Sequence, residues 1–210
     1  FIGCPLTAKQ MVELPEEFVM DRIIESGKVA QELGAKIVGL GAFTSIVGDA
    51  GITVAKNLDI AVTSGNSYTV ATAIQGTKQA ARMMGKDLKE CRAVVVGATG
   101  SIGAASVRLL AKEVKHITLV ARHMGPLEEL AQELIEQNHC EVAVSQDIRT
   151  SLQEADIVIT VTSALDFLIE PGDLKPGAVV CDVARPRNVS RDVSLQRNDV
   201  LVIEGGVINV

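Results

Sequence analysis

The second half of the chain alternates short apolar runs, rich in valine and isoleucine, with longer segments of helical periodicity. Continuous β-branched runs are typical of strands buried on both faces, and helices between such strands predict parallel connections. Aromatic residues make up only 2% of the chain, so Val, Ile, Ala and Leu have to build the core. The pattern predicts an α/β fold with a doubly wound parallel sheet over residues 86–210.

A shorter α/β pattern occupies the first third of the chain. Residues 14–33 have the apolar spacing of a helix, and Gly34 suits the end of that helix. KIVGLGAF is predicted as a strand that runs into a glycine turn, residues 49–57 as a short helix, and DIAVTSGN as a second strand. This order predicts part of a smaller parallel α/β lobe.

One long helix follows the second of these strands. Residues 68–84 have helical spacing, with Asn66 or Ser67 able to cap the helix start and Gly85 to close its end. We expect this helix to connect two lobes. The predicted parts are a partial α/β substrate or catalytic lobe over residues 1–66, the bridging helix over residues 67–85, and the doubly wound domain over residues 86–210.

A glycine-rich turn joins the first strand of the second half to its helix. In VVVGATGSIGAAS the first glycine permits a tight turn, the second lets a pyrophosphate approach the backbone, and the third lets helix pack on strand. The helix N-terminus then presents N–H groups to phosphate oxygens. We predict a Rossmann-type dinucleotide site, the alternative being a glycine turn without a ligand. The residues assigned to the cofactor here are Gly97, Ala98, Thr99, Gly100, Ser101, Ile102 and Gly103.

The residues after the second strand indicate which dinucleotide binds. An NAD site usually has Asp or Glu there to accept hydrogen bonds from the ribose hydroxyls. HITLVARHM has Ala121, Arg122 and His123 instead, and a guanidinium can donate two hydrogen bonds to a 2′-phosphate. The sequence therefore predicts NADP(H), with Arg122 and His123 as ligands. The alternative is that Arg122 is a solvated surface charge.

Three later strand ends are predicted to border the nicotinamide half of the cofactor. The strand in ADIVITVTSA ends in small polar residues, and CDVARPRNV and VIEGGV end strands beside it. Asp182 is either a ligand or the cap of a turn, and the sequence leaves both open. The residues assigned here are Thr160, Val161, Thr162, Ser163, Asp182, Gly205 and Gly206.

Charge, hydropathy and cysteine spacing argue against several classes of protein. The net charge of −6, without a basic stripe, speaks against nucleic-acid binding. No uninterrupted apolar stretch reaches the roughly 18 residues of a membrane span. The four cysteines form no CxxC pair, so we interpret them as reduced thiols of a cytoplasmic protein and predict no metal site. A homo-oligomer is compatible with the sequence, which does not fix the oligomeric state.

Seven segments, in chain order, resemble the cyanobacterial long-chain acyl-[acyl-carrier-protein] reductases and their bacterial relatives: GAFTSI, TSGNSYT, VVVGATGSIG, LVARH, LQEADIVI, VCDVARPRNV and VIEGGV. The second half is also similar to glutamyl-tRNA reductase and, more loosely, to shikimate dehydrogenase. The resemblance implies an NADP-binding Rossmann lobe behind a smaller catalytic lobe, and a small-molecule or carrier-bound acyl substrate. It also implies a reaction in which a cysteine takes up an acyl group and hydride from NADPH reduces the thioester to an aldehyde.

The same resemblance implies a nucleophilic cysteine shortly after the GGV segment, a position that would follow Val210. The opening at Phe1 without a methionine leads us to expect a fragment of a longer protein. Cys91 and Cys181 are interpreted as small core residues of predicted strands, and Cys4 is kept as a remote candidate nucleophile.

Polar loops of the first lobe supply the candidate catalytic residues, because loops at strand ends usually hold substrates. They are Thr44 and Ser45 after the first strand and Asn66 before the long helix, where Asn66 either binds a substrate carbonyl or caps the helix. Three functions stay open: an acyl-thioester reductase, a shikimate-type dehydrogenase of a small hydroxy compound, and a non-catalytic NADP-binding module. No Lys–Asp pair typical of the second is found.

Overall fold

The computed structural model describes residues 1–137, 140–162 and 168–205. The chain divides into two compact units, Phe1–Asn66 and Ser67–Val210.

The first unit combines a small parallel sheet with helices. Its elements are α1 (Ala8–Glu13), α2 (Glu16–Glu32), β1 (Ile37–Gly39), a 3₁₀ turn (Ala42–Ser45), α3 (Ile52–Lys56) and β2 (Ala61–Thr63). Strands β1 and β2 pair in parallel. The sequence patterns predicted α2, β1, α3 and β2, but neither the 3₁₀ turn nor α1. Helix α1 starts with a capping box: the Thr7 hydroxyl accepts the Gln10 N–H, and the Gln10 side chain accepts the Thr7 N–H.

The long helix α4 (Asn66–Met83) begins two residues earlier than predicted. Asn66 and Ser67 therefore lie in its first turn and not before it. The Ser64 hydroxyl accepts the N–H of Asn66, which is the kind of bond the predicted cap was expected to make. Residues of α4 such as Val70 and Ala73 belong to the main core of the second unit, so this helix is part of that unit from Ser67 onward.

The described residues of the second unit form a six-stranded sheet in the order β5-β4-β3-β6-β7-β8, with every pairing parallel. This confirms the predicted α/β fold class. The elements after α4 are β3 (Arg92–Val96), α5 (Ser101–Leu110), β4 (His116–Val120), α6 (Met124–Gln137), β5 (Glu141–Ser145), α7 (Ile148–Leu152), β6 (Ile157–Thr160), β7 (Val179–Asp182), α8 (Arg191–Gln196) and β8 (Leu201–Glu204).

Strand β3 shows that helices cover both faces of the sheet. Ala93 and Val95 pack in a core cluster with side chains of α4, α5 and α6. Val94 and Val96 point to the other face and pack in a second cluster with side chains of α7 and α8. Alternate residues of a strand face opposite sides of a sheet, so burial on both faces requires a continuous apolar run.

The carboxylate of Asp156 binds one backbone N–H and two lysine side chains at the amino-terminal edge of this sheet. It accepts the backbone N–H of Arg92 at 3.0 Å, and the ammonium groups of Lys175 and Lys86 lie 2.7 Å and 3.3 Å from its Oδ1. Burial opposes ionisation of this carboxyl, but the Arg92 N–H and the two lysines outweigh burial and lower the pKa of Asp156 below its usual value.

Asp156→Asn is expected to lower the free energy of unfolding by about 2 kcal/mol near neutral pH, because the charged acceptor is lost. A lowered pKa in the folded state stabilises the fold above the unfolded-state pKa, and this contribution disappears as the pH falls. The difference between wild type and variant should therefore narrow as the pH falls below about 4. Urea unfolding on both sides of this pH measures the difference in the free energy of unfolding, with substitution of the exposed Asp21 by Asn as control. A difference that does not change with pH would contradict the assignment.

Candidate functional site

The three glycines of the turn after β3 have distinct structural roles. Gly97 has a φ of +86°, and a Cβ on it would lie 3.1 Å from the backbone carbon of Val161, beyond the end of β6. A Cβ on Gly103 would lie 2.1 Å from the carbonyl oxygen of Gly97, so α5 can pack against the turn only with glycine there. A Cβ on Gly100 would meet no atom within 3.4 Å, since the nearest is 3.5 Å away. The open side of the turn is therefore at Gly100.

Helix α5 begins directly at this open side. Gly100 is its N-cap residue and provides no side-chain cap. The first amides of a helix have no partner within the helix and commonly bind phosphate oxygens. The N–H groups of Gly97 and Ala98 both donate to the carbonyl of Val120, which fixes the turn beside the end of β4. These observations fit a dinucleotide pyrophosphate, because its oxygens need N–H donors and a backbone without side chains in the way.

A cleft of about 370 Å³ lies along the carboxyl ends of β3, β4 and β6. The sheet order reverses between β3 and β6, and such a switch point is where open α/β sheets bind ligands. The described residues lining this cleft are Val96, Gly97, Thr99, Gly100, Val120, Ala121, Arg122, His123, Gln146, Ile148, Val161, Thr162 and Leu168.

The cleft unites cofactor residues predicted from three separate segments. Among the predicted residues, Gly97, Thr99, Gly100, Arg122, His123, Val161 and Thr162 line the cleft. Ala98, Ser101, Ile102, Gly103 and Thr160 are not among the lining residues. Ala98 and Thr160 are fully buried, and Ile102 packs against the main core. Ser163 and Gly206 lie outside the described residues.

Arg122 and His123 follow β4 and are exposed on the wall of the cleft. The guanidinium of Arg122 makes no hydrogen bond or ion pair with any residue in the described parts of the chain. Its backbone carbonyl accepts a hydrogen bond of 2.5 Å from Nε2 of Gln146, which follows β5. Gln146 was not predicted, because its partner is 24 residues away in sequence and no local pattern marks the contact.

Asp182, at the end of β7, has both carboxylate oxygens occupied. Oδ1 accepts the N–H of Ala184 at 3.0 Å, and Oδ2 accepts the N–H groups of Asn188 and Val189 at 2.9 Å and 3.0 Å. Burial raises the pKa of Asp182, although these donors favour its charged form. Of the two interpretations left open by the sequence, the geometry favours the cap of a turn.

Gly205 follows β8 and does not line the cleft. A Cβ on it would lie 2.5 Å from a methyl group of Val183 and 2.9 Å from the sulfur of Cys181. The close packing of this strand end against β7 accounts for a glycine at the position.

The candidate catalytic residues all lie in the first unit. Thr44 and Ser45 lie after β1, as predicted, and Asn66 lies in the first turn of α4. The Thr44 hydroxyl donates to the carbonyl of Gly41 at 2.7 Å, and the Ser45 hydroxyl to that of Ala42 at 2.8 Å. Both hydroxyls thus close a local 3₁₀ turn. Their catalytic role stays a prediction.

The cysteines of the second unit are poorly suited to act as nucleophiles. Cys91 and Cys181 are buried in the main core, and burial raises the pKa of both thiols and of Cys140. Cys4 is half-buried and packs against the core of the first unit. In the described parts of the chain, no three His, Cys, Asp or Glu side chains are grouped to hold a metal ion. None of the helices described is both long and apolar enough to cross a membrane.

A sequence model of the shikimate / quinate 5-dehydrogenase family matches residues 78–204, which include the glycine turn and all six strands of the sheet. The chain belongs to this family. It therefore carries an NAD(P)-binding Rossmann domain of the oxidoreductase type.

Two curated relatives match most of the chain. Aminotransferase PigE of Serratia sp. is 33% identical over 206 residues, covering 97% of this chain and 24% of PigE. The long-chain acyl-[acyl-carrier-protein] reductase of Synechococcus elongatus is 29% identical over 204 residues, covering 89% of this chain and 55% of the reductase. The chain thus spans about a quarter of one relative and about half of the other.

The fold is also found among solved structures. Glutamyl-tRNA reductase from Methanopyrus kandleri superposes with a TM-score of 0.52 at 19% identity, covering 90% of this chain and 47% of that one. At this identity the likeness shows the fold alone. The resemblance seen in the sequence is confirmed for the Rossmann domain, while the acyl-reductase family itself is not established.

Proposed function

We propose that the second unit binds NADP(H) rather than NAD(H). The observation that carries this proposal is the exposed guanidinium of Arg122 on the cleft wall, next to His123 and beside the glycine turn. None of the described lining residues is Asp or Glu, the residues that would accept hydrogen bonds from free ribose hydroxyls. A 2′-phosphate supplies the acceptors that a guanidinium needs.

The cofactor is placed by extending this contact along the cleft. Its pyrophosphate would lie over Gly100 and the first amides of α5, as the open turn favours. Its nicotinamide half would extend toward Val161 and Thr162, because the two halves of a Rossmann sheet each hold one nucleotide. The bound cofactor supplies a hydride, and the residues of this chain orient it.

We propose further that this hydride reduces an acyl thioester to an aldehyde. The match to the long-chain acyl-[acyl-carrier-protein] reductase supports this proposal, because it extends into the first unit. The family model, in contrast, begins at residue 78 and leaves the first unit out. In the reaction the carbonyl carbon gains hydride, the carbon–sulfur bond breaks, and the leaving thiolate takes a proton from solvent. Cys91, Cys140 and Cys181 are not proposed as acyl carriers, because burial raises their thiol pKa values.

A second candidate is a shikimate-type dehydrogenase of a small hydroxy compound, which the family match favours. The two candidates use the same cofactor cleft and differ in their catalytic residues and in what the substrate presents to the nicotinamide. A thioester is reduced with NADPH, whereas a secondary alcohol is oxidised with NADP⁺.

One set of measurements tests the proposals in order. Calorimetric titration should show NADPH binding at least about tenfold tighter than NADH, as one charge-assisted phosphate contact requires. Acyl-coenzyme A or acyl-carrier thioesters with NADPH should then give trapped aldehyde, and shikimate with NADP⁺ should give no NADPH. Shikimate oxidation would favour the second candidate, and NADPH binding without either turnover would favour a non-catalytic module. Equal binding of both cofactors would end the NADP(H) assignment.

A further inference from the structure

Asn188 is a fully buried polar residue in the loop between β7 and α8, outside the set of cleft-lining residues. Its side-chain oxygen accepts three hydrogen bonds from the chain that leaves β6. The donors are the Thr160 hydroxyl at 2.7 Å, the Thr162 hydroxyl at 2.8 Å and the Thr162 N–H at 3.3 Å. The backbone donor fixes the orientation of the amide, because only the oxygen of the side chain can accept it.

The backbone of Asn188 holds a second part of the same wall. Its carbonyl accepts the N–H groups of Leu168 and Ile169 at 2.8 Å and 3.1 Å. Leu168 and Thr162 both line the cleft on the side of β6. One buried residue therefore fixes two wall residues that are not adjacent in sequence.

Asn188 is itself fixed by the end of β7. Its N–H donates to Oδ2 of Asp182 at 2.9 Å, and the N–H of Val189 donates to the same oxygen at 3.0 Å. A chain of hydrogen bonds thus runs from a strand end of the sheet, through Asn188, to the cleft wall. Buried networks of this kind stiffen the groups they join, because each unmade bond would leave a desolvated polar atom.

We infer that Asn188 is a positioning residue for the nicotinamide half of the cofactor, an inference that rests on the proposed cofactor function. It does not touch the cofactor and acts through Thr162 and Leu168. The opposite end of the cleft, at Arg122 and His123, is built on β4 and receives no hydrogen bond from Asn188 in the described residues. Substitution of Asn188 should therefore weaken ligand binding at the nicotinamide end of the cleft and leave binding at the Arg122 end unchanged.

The test compares two ligands of different length. In the proposed placement NADPH would fill the whole cleft, whereas adenosine 2′,5′-bisphosphate would fill only the end at Arg122. Asn188→Ala is expected to weaken NADPH binding about tenfold while leaving adenosine 2′,5′-bisphosphate binding within about twofold of wild type. Titration calorimetry measures both, and the melting temperature reports whether the variant is folded.

Matched threonine variants keep the inference testable if Asn188→Ala does not fold. Thr162→Val removes a bond to Asn188 from a cleft residue and should weaken NADPH alone, by about threefold to fivefold. Thr72→Val removes a hydroxyl that donates to the Tyr68 and Thr69 carbonyls of its own helix α4, outside the cleft and the Asn188 network, and should leave both affinities unchanged. Equal loss of both ligands in Asn188→Ala, or equal effects of the two threonine variants, would overturn the inference. Wild-type protein that binds neither ligand would instead refute the proposed function.

Discussion

Gly103→Ala is expected to destabilise the second unit by about 3 kcal/mol and to abolish NADP(H) binding. The added Cβ would lie 2.1 Å from the carbonyl oxygen of Gly97, 2.9 Å from its carbonyl carbon and 3.0 Å from the Cα of Ala98. All three are backbone atoms of the turn, so no flexible side chain can move aside. Helix α5 would have to shift away from the turn, which displaces the amides proposed to hold the pyrophosphate. Urea unfolding and calorimetric titration with NADPH measure the two effects.

Gly100→Ala is the matched control, because the same methyl group is added three residues earlier. Its nearest neighbour would be the Gly97 carbonyl oxygen at 3.5 Å, and Gly100 has a φ of −71°, which alanine adopts without strain. The free energy of unfolding should change by less than about 0.5 kcal/mol. NADPH should still bind at least about tenfold more weakly, since the methyl group projects from the open side of the turn. Wild-type affinity in Gly100→Ala would place the pyrophosphate elsewhere.

These two glycines also show which parts of the structure are predictable from local sequence. A turn between a strand and a helix needs glycine for reasons confined to about seven residues, so its roles could be assigned from VVVGATGSIG. The strands of the second unit were predictable for a similar reason, because burial on both faces demands runs such as Arg92–Val96. Their parallel order followed from the helices between them.

The long-range hydrogen bonds that hold the wall of the cleft were not predictable from local sequence. Asn188 contacts Thr160 across 28 residues, and Gln146 contacts Arg122 across 24. Hydrogen bonds of this range depend on the order of strands in the sheet, which places the ends of β5 and β7 next to their neighbours. An asparagine in RPRNV has the same local sequence whether it is exposed in a turn or buried beneath a cleft. For Asp182 the sequence left two interpretations, and only the positions of three N–H groups distinguish them.

The candidate catalytic residues of the first unit show a second limit of prediction from sequence. Thr44 and Ser45 were chosen because they follow a predicted strand, yet a hydroxyl in such a loop can also close the loop's own turn. Each donates to a carbonyl three residues earlier, and this competition between local and functional hydrogen bonds cannot be read from residue type.

Arg122→Asp is expected to reverse the cofactor preference of the protein. NADPH affinity should fall about 100-fold, because charge-assisted hydrogen bonds to the 2′-phosphate are replaced by repulsion between two anions. NADH should bind at least as tightly as to wild type, since an aspartate at this position can accept hydrogen bonds from both ribose hydroxyls. The Gln146 bond to the Arg122 backbone carbonyl does not involve the substituted side chain, so the loop after β4 should keep its position. Titration calorimetry with each cofactor measures the ratio of affinities.

The control for Arg122→Asp must make the same change of charge away from the cleft. Lys112→Asp does so at an exposed residue just after the end of α5. The ten residues of α5 span about 15 Å and separate this position from the glycine turn. If the loss in Arg122→Asp came only from the more negative net charge, Lys112→Asp would lose NADPH affinity to a similar extent. We expect it to stay within about twofold of wild type, because charges farther than about 10 Å apart are screened at ordinary salt. Unchanged NADPH affinity in Arg122→Asp would mean that the guanidinium is a solvated surface charge, and the preference for NADP(H) would then need another source among the residues of the cleft.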